Sequence, residues 1–159
     1  MKLKAGGSMI RLWRPRTDSA EIIRLIKAEL IPLSHTASPR DAQTIHELPK
    51  RLREGVTFVN SRTKTSTPLG FIHFYIKGDV LQYDLLAVHP QHRGKKIGTM
   101  LMSHVEAYGR SKNCSLARLF VDNSNPRAQR LYTQLGFDTV NYYHDLRCYE
   151  MTKALTAPF

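Results

Sequence analysis

The sequence predicts an α/β fold of the α+β type, with one central, mostly antiparallel sheet flanked by helices. Three observations support this prediction. Short apolar segments with the period of a strand alternate with segments of helical period. Tight turns such as Gly78-Asp79 separate consecutive strands, as expected for antiparallel neighbours. One buried strand continues through a basic loop into a long helix. The predicted order is β-α-α-β-β-β-α-β-α-β-β, without an internal repeat.

The first part of the chain predicts a strand and two helical regions. Residues 10–14 alternate apolar and basic side chains, as in a half-exposed strand. Asp18 and Glu21 resemble a capping box, so we predict a helix that begins at Asp18 and ends near Pro32. Further on, Ser38-Pro39 predicts another helix start, which Pro49 interrupts.

The remaining strands follow from apolar runs bounded by turn residues. They are predicted at residues 56–60, 70–76, 80–88 and 116–121, with a terminal hairpin at 137–143 and 147–153.

The segment from Asp84 to Gly98 carries the first chemical signal. A buried strand ends at His89-Pro90, because proline lacks the donor that the next ladder bond needs. A basic loop follows, and from Ile97 the apolar residues have helical spacing. The first N–H groups of a helix lack intrahelical partners and lie at the positive end of its dipole. The junction therefore predicts a phosphate-binding turn.

A second helix is predicted after Asn125. Asn125 is a good N-cap, and Pro126 suits the first helical position, where no donor is required. Gly136 is a suitable left-handed residue after the helix, and Phe137 can fold back against the last turn.

These two segments resemble the motifs of the GNAT superfamily of acetyl-CoA-dependent N-acetyltransferases. Gln91-x-x-Gly94-x-Lys96-x-Gly98 is similar to the pyrophosphate-binding signature [QR]-x-x-G-x-[GA], with Lys96 at the position where Gly or Ala is usual. The segment from Asn125 to Phe137 matches N-x-x-A-x-x-x-Y-x-x-x-G-F at every defined position. The resemblance extends from Met9 to about Lys153. We place Arg93 to Lys96 in the loop before the helix, and a lysine at position 96 can also be accommodated in a helical first turn.

The resemblance implies acetyl-CoA as cosubstrate, no metal, and a defined set of binding residues. Backbone amides of the basic loop would hold the pyrophosphate, and the preceding strand would pair with the pantetheine arm. The cofactor-binding residues implied are Leu86, Ala87, Val88, Arg93, Gly94, Lys95, Lys96, Ile97, Gly98, Thr99, Asn125, Arg127, Ala128 and Tyr132.

The resemblance also implies direct transfer of the acetyl group to a primary amine within a ternary complex. Tyr132 occupies the position of the family's general acid. Asp84 is our first candidate for a base that acts through water; His73, or a water chain without a dedicated base, remains an alternative. Cys114 and Cys148 lie outside both motifs, so an acyl-enzyme is disfavoured.

The acceptor, whether a small molecule or a peptide or protein amine, is not identified by the sequence. It would meet residues 32–55, where His35, His46 and Glu47 are candidates, although a solvated surface position is the simpler interpretation for each.

Composition restricts the remaining possibilities. A chain of 159 residues suits one domain, which we place at residues 9–155, after a tag-like or disordered leader at 1–8. We predict no membrane span, and two cysteines without metal or disulfide spacing favour reduced thiols in the cytoplasm.

Three further hypotheses concern partners. The net charge of +11 would attract a phosphate-bearing cosubstrate or nucleic acid, but the cations are dispersed and no nucleic-acid motif is present, so no specific nucleic-acid partner is predicted. A non-catalytic acyl-CoA-binding regulatory module is the alternative to an enzyme. A homodimer formed through the C-terminal strands is the third hypothesis.

Overall fold

The computed structural model describes residues 7–34 and 42–155. These residues form a seven-stranded sheet in the order β1-β2-β3-β4-β5-β7-β6. Only the β4–β5 pair is parallel among the described neighbours. The predicted mixed, mostly antiparallel sheet is thereby confirmed. The strands are β1 (Met9–Leu12), β2 (Val56–Ser61), β3 (Gly70–Lys77), β4 (Val80–Val88), β5 (Leu116–Asp122), β6 (Asp138–Tyr143) and β7 (Cys148–Ala154).

Four α-helices cover the two faces of this sheet in the described part of the chain. They are α1 (Pro15–Leu25), α2 (Ala42–Arg53), α3 (Ile97–Ser111) and α4 (Pro126–Gln134). Helix α1 continues through a π-helical turn, Ile26–Leu30, and a 3-10 turn, Ile31–Leu33. A short 3-10 turn, Pro90–His92, precedes the loop that leads into α3.

Helix α1 begins earlier than its capping signal predicted. Its first residue is Pro15, three residues before Asp18, so the prediction that Asp18 is the N-cap was wrong. Proline at the first helical position is stable because no donor is lost there. Asp18 instead accepts a hydrogen bond of 2.7 Å from the backbone N–H of Arg14 and pairs with Arg11 at 2.7 Å.

Helix α2 is continuous across Pro49, contrary to the predicted interruption. Proline removes one backbone hydrogen bond from a helix interior. Leu48 and Leu52, which flank it, are buried in the core, and their packing holds the two halves in one helix. His35, Ser38 and Pro39 lie outside the described residues, as do residues 1–6 of the expected leader.

Two apolar cores lie on opposite faces of the sheet. In one core, residues of α3 such as Leu101 pack against strand residues such as Ala117 and Met151. The other packs α1 and α2 against β2 to β4 through residues such as Leu25 and Phe71. Strand β4 contributes to both clusters, so its course is fixed from both sides.

The parallel pair β4–β5 separates after three residues. Pairing covers Val80–Gln82 of β4 against Leu116–Arg118 of β5, although both strands continue. In the β3–β4 register, His73 faces Leu85 and Phe74 faces Tyr83, so Asp84 is the extra residue of a bulge. A bulge bends its strand. The bulge at Asp84 therefore lies where β4 diverges from β5 and opens the sheet.

Within the described residues, no helix has the length and apolar character needed to cross a membrane.

Candidate active site

A cavity of about 780 Å³ occupies the gap between β4 and β5. One end is the loop that precedes α3, and the other is bordered by α2 and the beginning of β7. The edge of β4 from Tyr83 to Val88, which is not paired with β5, forms one long wall, and the opposite wall consists of the end of β5 and the first turns of α4.

The loop end of the cavity has the backbone of an anion site. Met100 donates the first intrahelical hydrogen bond of α3, 2.9 Å to the carbonyl oxygen of Lys96. The amides of Ile97, Gly98 and Thr99 precede that bond and lie in the cavity wall. Gly94 has a φ of 80°, a left-handed value that glycine adopts without strain. The loop thus presents main-chain donors at the positive end of a helix.

Lys96 has an unusual backbone conformation. It is the N-cap of α3 with φ 61° and ψ 24°, in the left-handed region. Gly94 and Lys96 together turn the chain before the helix starts at Ile97. A lysine in this conformation costs about 1 kcal/mol relative to glycine. Its side chain lies at the cavity wall despite the strain.

Helix α4 supplies the facing wall. The side-chain oxygen of Asn125 accepts a hydrogen bond of 3.3 Å from the Ala128 N–H, which closes the cap predicted from the sequence. Arg127, Ala128 and Tyr132 follow along the helix and line the cavity. Burial raises the pKa of Tyr132 to about 12, so its phenol is protonated throughout the physiological range.

The structure brings nearly all the predicted cofactor-binding residues to this one cavity. Lys95 is the exception, since its ammonium lies 3.4 Å from Nδ1 of His92 and its side chain is exposed. The cavity is lined by Leu86, Ala87, Val88, Arg93, Gly94, Lys96, Ile97, Gly98, Thr99, Asn125, Arg127, Ala128 and Tyr132.

Asp84 lies at the other end of the same cavity and is held by two side chains. Arg51 of α2 binds it in a bidentate manner, with Nε 3.0 Å from Oδ2 and Nη2 2.6 Å from Oδ1. Nδ1 of His73 lies 2.8 Å from Oδ2. Burial would raise the pKa of Asp84, but the hydrogen bonds to His73 and Arg51 outweigh burial and lower this pKa below its usual value of 3.8. Asp84 is thus a fixed anion.

His73 is placed behind Asp84 and not in the cavity. Its side chain is about 2% exposed, and Nε2 has no hydrogen-bond partner among the described residues. A buried N–H without an acceptor is costly, so the favoured tautomer carries its proton on Nδ1 and donates it to Asp84. His73 therefore orients the carboxylate of Asp84. His46 and Glu47, the other candidates, are exposed on α2 and do not line the cavity.

Residues 26–34 line the cavity as a strap that is connected to the anion loop and to the wall formed by β5 and α4. Glu29, in the π-helical turn, forms an ion pair with Arg93 of the anion loop. The hydroxyl of Ser124, between β5 and α4, donates a hydrogen bond of 2.5 Å to the carbonyl of Leu33. Neither Glu29 nor Arg51 was a candidate from the sequence, because their partners lie 64 and 33 residues away along the chain.

The mouth of the cavity beyond Asp84 combines apolar side chains with a thiol. Tyr75, Phe120 and Leu146 line it and are exposed. Cys148 also forms part of the wall, which sequence reasoning did not anticipate. Burial raises the pKa of the Cys148 thiol, and the nearby carboxylates of Asp122 and Glu150 add to this effect. The thiol is protonated at neutral pH and is a weak nucleophile.

The described residues contain no group of three His, Cys, Asp or Glu side chains that could hold a metal ion.

The cavity fits a long ligand with an anionic end and an acyl end. The backbone amides at the start of α3 can donate hydrogen bonds to a diphosphate. The unpaired edge of β4 can bind an extended amide chain as an added strand. This combination of a split sheet and an anion loop defines the class of the acyl-CoA-dependent transferases. A family model described as the acetyltransferase (GNAT) family matches residues 20–137, and the chain belongs to this family.

The sequence comparison also identifies a curated relative. The chain is 39% identical over 66 residues to a mycothiol acetyltransferase of Stackebrandtia nassauensis. The match covers 39% of this chain and 22% of that protein, so the two share about a fifth of the relative's length.

Solved structures with the same fold cover almost the whole chain. The Ard1 protein of Thermoplasma volcanium superimposes with a TM-score of 0.76 and 24% identity, over 95% of this chain and 99% of that one. The PaiA N-acetyltransferase of Thermoplasma acidophilum, solved in complex with coenzyme A, gives a TM-score of 0.72 and 18% identity, over 92% and 98%.

Proposed function

We propose that this protein transfers the acetyl group of acetyl-CoA directly to a primary amine in a ternary complex. The observation that carries the proposal is that one cavity joins the anion loop at the start of α3, the phenol of Tyr132 and the carboxylate of Asp84. The exposed apolar residues at the mouth beyond Asp84 suit both a free amine and an amine that is part of a peptide.

The residues of the loop and of β4 hold the cosubstrate. N–H groups of Gly94 to Thr99 donate to the diphosphate, and Lys96 and Arg127 add positive charge at that end of the cavity. Backbone groups of Leu86 to Val88 pair with the pantetheine amides, and one N–H of this strand polarises the acyl carbonyl. When bound, acetyl-CoA supplies a thioester as the activated acyl group. Lys95 approaches the phosphates from outside the cavity.

Tyr132 donates the proton that the departing sulfur requires. Its pKa of about 12 keeps the phenol in the acid form at neutral pH. The thiol of Cys148 is protonated and takes no part, which favours direct transfer over an acyl-enzyme.

Asp84 prepares the amine without being a strong base. An alkyl ammonium titrates near 10.4, so moving its proton directly to a carboxylate with a pKa below 3.8 is uphill by roughly 9 kcal/mol. We therefore assign Asp84 the task of attracting the ammonium and orienting the water that carries its proton to solvent. Arg51 and His73 fix the carboxylate in place for this task.

The family relatives support an amine acceptor. PaiA is an N-acetyltransferase by name, whereas the mycothiol acetyltransferase matches this chain over a short segment only. A thiol-release assay with acetyl-CoA and a panel of primary amines, including amino-acid amides, short peptides and polyamines, identifies the acceptor class.

Replacing Asp84 tests the proposal. We expect Asp84→Asn to lower kcat/KM for the amine at neutral pH by a factor of about 100 and to change the Kd for acetyl-CoA less than threefold. Glu47→Gln, an exposed carboxylate on α2 that does not line the cavity, is the matched control. Full turnover by Asp84→Asn would remove Asp84 from the mechanism.

A non-catalytic acyl-CoA-binding module would bind acetyl-CoA and release no thiol with any amine of the panel.

We also propose a homodimer through the C-terminal strands. Strand β6 is an edge of the sheet, and Val140 and Tyr143 on it are exposed. Sedimentation analysis of the protein tests this assembly.

A further inference from the structure

The ion pair between Glu29 and Arg93 connects the strap to the anion loop. Glu29 belongs to the strap of residues 26–34, and Arg93 precedes Gly94 in the loop. Both residues line the cavity, and their side chains are 18% and 33% exposed. The contact therefore lies on the path that a bound ligand has to occupy.

A diphosphate competes with Glu29 for the guanidinium of Arg93. A guanidinium binds phosphate oxygens through paired hydrogen bonds, as it binds a carboxylate. The loop places Arg93 directly beside the amides of Gly94 to Thr99, so a diphosphate on those amides comes within reach of it. The diphosphate carries more charge than a single carboxylate, so it is the stronger partner.

Displacing Arg93 leaves a partly buried carboxylate without its counter-ion. Arg24, whose pKa Glu29 helps to raise, is already bound in a bidentate manner by Glu21, at 2.7 and 2.6 Å. A carboxylate that is largely removed from water needs a cation or hydrogen-bond donors. Opening the ion pair therefore has a cost, which reduces the affinity for coenzyme A.

We propose that the Glu29–Arg93 ion pair is a latch between the strap and the anion loop, and that the diphosphate of the cosubstrate opens it. This inference rests on the proposed function.

A double-mutant cycle on coenzyme A binding tests the latch without any acceptor. In calorimetric titrations at fixed ionic strength, we expect Glu29→Gln to tighten coenzyme A binding by about tenfold, because Arg93 no longer has to be released. In an Arg93→Gln background, the same change should alter the affinity less than twofold. Glu54→Gln removes an exposed carboxylate from the end of α2 and should leave the affinity unchanged.

The double-mutant cycle also distinguishes competition for Arg93 from a general electrostatic repulsion between Glu29 and coenzyme A. If Glu29→Gln has no effect on coenzyme A binding, weakens it, or tightens it equally in the Arg93→Gln background, the latch is refuted. If the wild-type protein does not bind coenzyme A, the proposed function fails first.

A wild-type protein that acetylates no amine would contradict the proposed function, and the calorimetry would still decide the latch.

Discussion

At the scale of single residues, Tyr132 illustrates how one side chain serves both packing and chemistry. Its ring packs in an edge-to-face arrangement against Phe137, with the ring centroids 6.2 Å apart, so the helix end and the phenol are fixed together. The same burial raises the pKa of the phenol to about 12. A group with this pKa remains an acid at every pH at which the protein is expected to work.

Replacing Tyr132 separates these two contributions. We expect Tyr132→Phe to lower kcat by a factor of at least about 100 while leaving the Kd for acetyl-CoA within threefold and the unfolding temperature nearly unchanged, since the ring is retained. Tyr142→Phe, on β6 and away from the cavity lining, is the control. Equal kcat values for the wild type and Tyr132→Phe would exclude the phenol as the acid.

The pH profile provides a second readout of the phenol. Tyr132 donates while it is protonated, so its contribution is present below its pKa and is lost as the pH rises through about 12. We therefore expect no decline in kcat assignable to Tyr132 between pH 7 and 10 in a thiol-release assay buffered across this range. A decline centred near pH 10 that disappears in Tyr132→Phe would contradict the burial argument.

At the scale of secondary-structure elements, the start of α3 carries an unusual conformation. Lys96 is left-handed at the N-cap, where glycine would be unstrained. A lysine at this position lowers the stability of the loop relative to glycine, but it puts a positive charge at the anion loop.

Two substitutions at Lys96 isolate the backbone strain from the charge. Both Lys96→Gly and Lys96→Ala remove the ammonium, but only glycine relieves the left-handed conformation. We expect Lys96→Gly to be more stable than Lys96→Ala by about 1 kcal/mol in urea unfolding, with similar losses of acetyl-CoA affinity in the two variants. Equal stabilities would show that the loop relaxes away from the left-handed conformation.

The connection between β1 and α1 depends on a buried ion pair. The side chains of Arg11 and Asp18 are 9% and 3% exposed. Burial acts to raise the pKa of Asp18, but the hydrogen bonds from Arg11 and from the Arg14 amide outweigh it and lower the pKa below its usual value of 3.8. The stability from this carboxylate is thus fully present above pH 3.8 and is lost as the pH falls below it.

Removing this carboxylate has a larger effect than removing a surface one. We expect Asp18→Asn to reduce the free energy of unfolding by about 3 kcal/mol at pH 7, because it leaves Arg11 buried without a counter-ion. Glu54→Gln, from a pair exposed on α2, should cost less than about 1 kcal/mol. Urea denaturation of the three proteins measures both values. Similar losses for the two variants would contradict the burial argument.

The elements that could be predicted from the sequence are those whose signals are local. The start of α4 is marked by Asn125 and Pro126, and β4 by its apolar run and the proline that follows. The first residue of α1 and the continuity of α2 depend on tertiary contacts, so the local signals at Asp18 and Pro49 were misleading. Glu29 and Arg51 escaped prediction for the same reason, since a contact between distant segments leaves no spacing pattern.

At the scale of the whole molecule, the net charge of +11 and the position of the cavity suit a polyanionic cosubstrate. Several acidic side chains in the described residues form ion pairs with arginine or lysine, including Asp18, Glu21, Asp84 and Glu106. The unmatched positive charge is consequently available to attract phosphate from a distance. This attraction acts on the rate of association and weakens with salt.

The cavity depends on the fold of the whole molecule, because its three essential parts come from different elements. The bulge at Asp84 opens the sheet, α3 supplies the anion loop, and α4 supplies the phenol of Tyr132. The central claim is that a single ligand spans all three.

A crystal structure of the protein with coenzyme A tests this claim most directly. We expect the diphosphate on the amides of Gly94 to Thr99, the pantetheine arm along β4 between Tyr83 and Val88, and the thiol next to the hydroxyl of Tyr132. Coenzyme A bound outside the gap between β4 and β5, or with its thiol directed away from Tyr132, would contradict this claim.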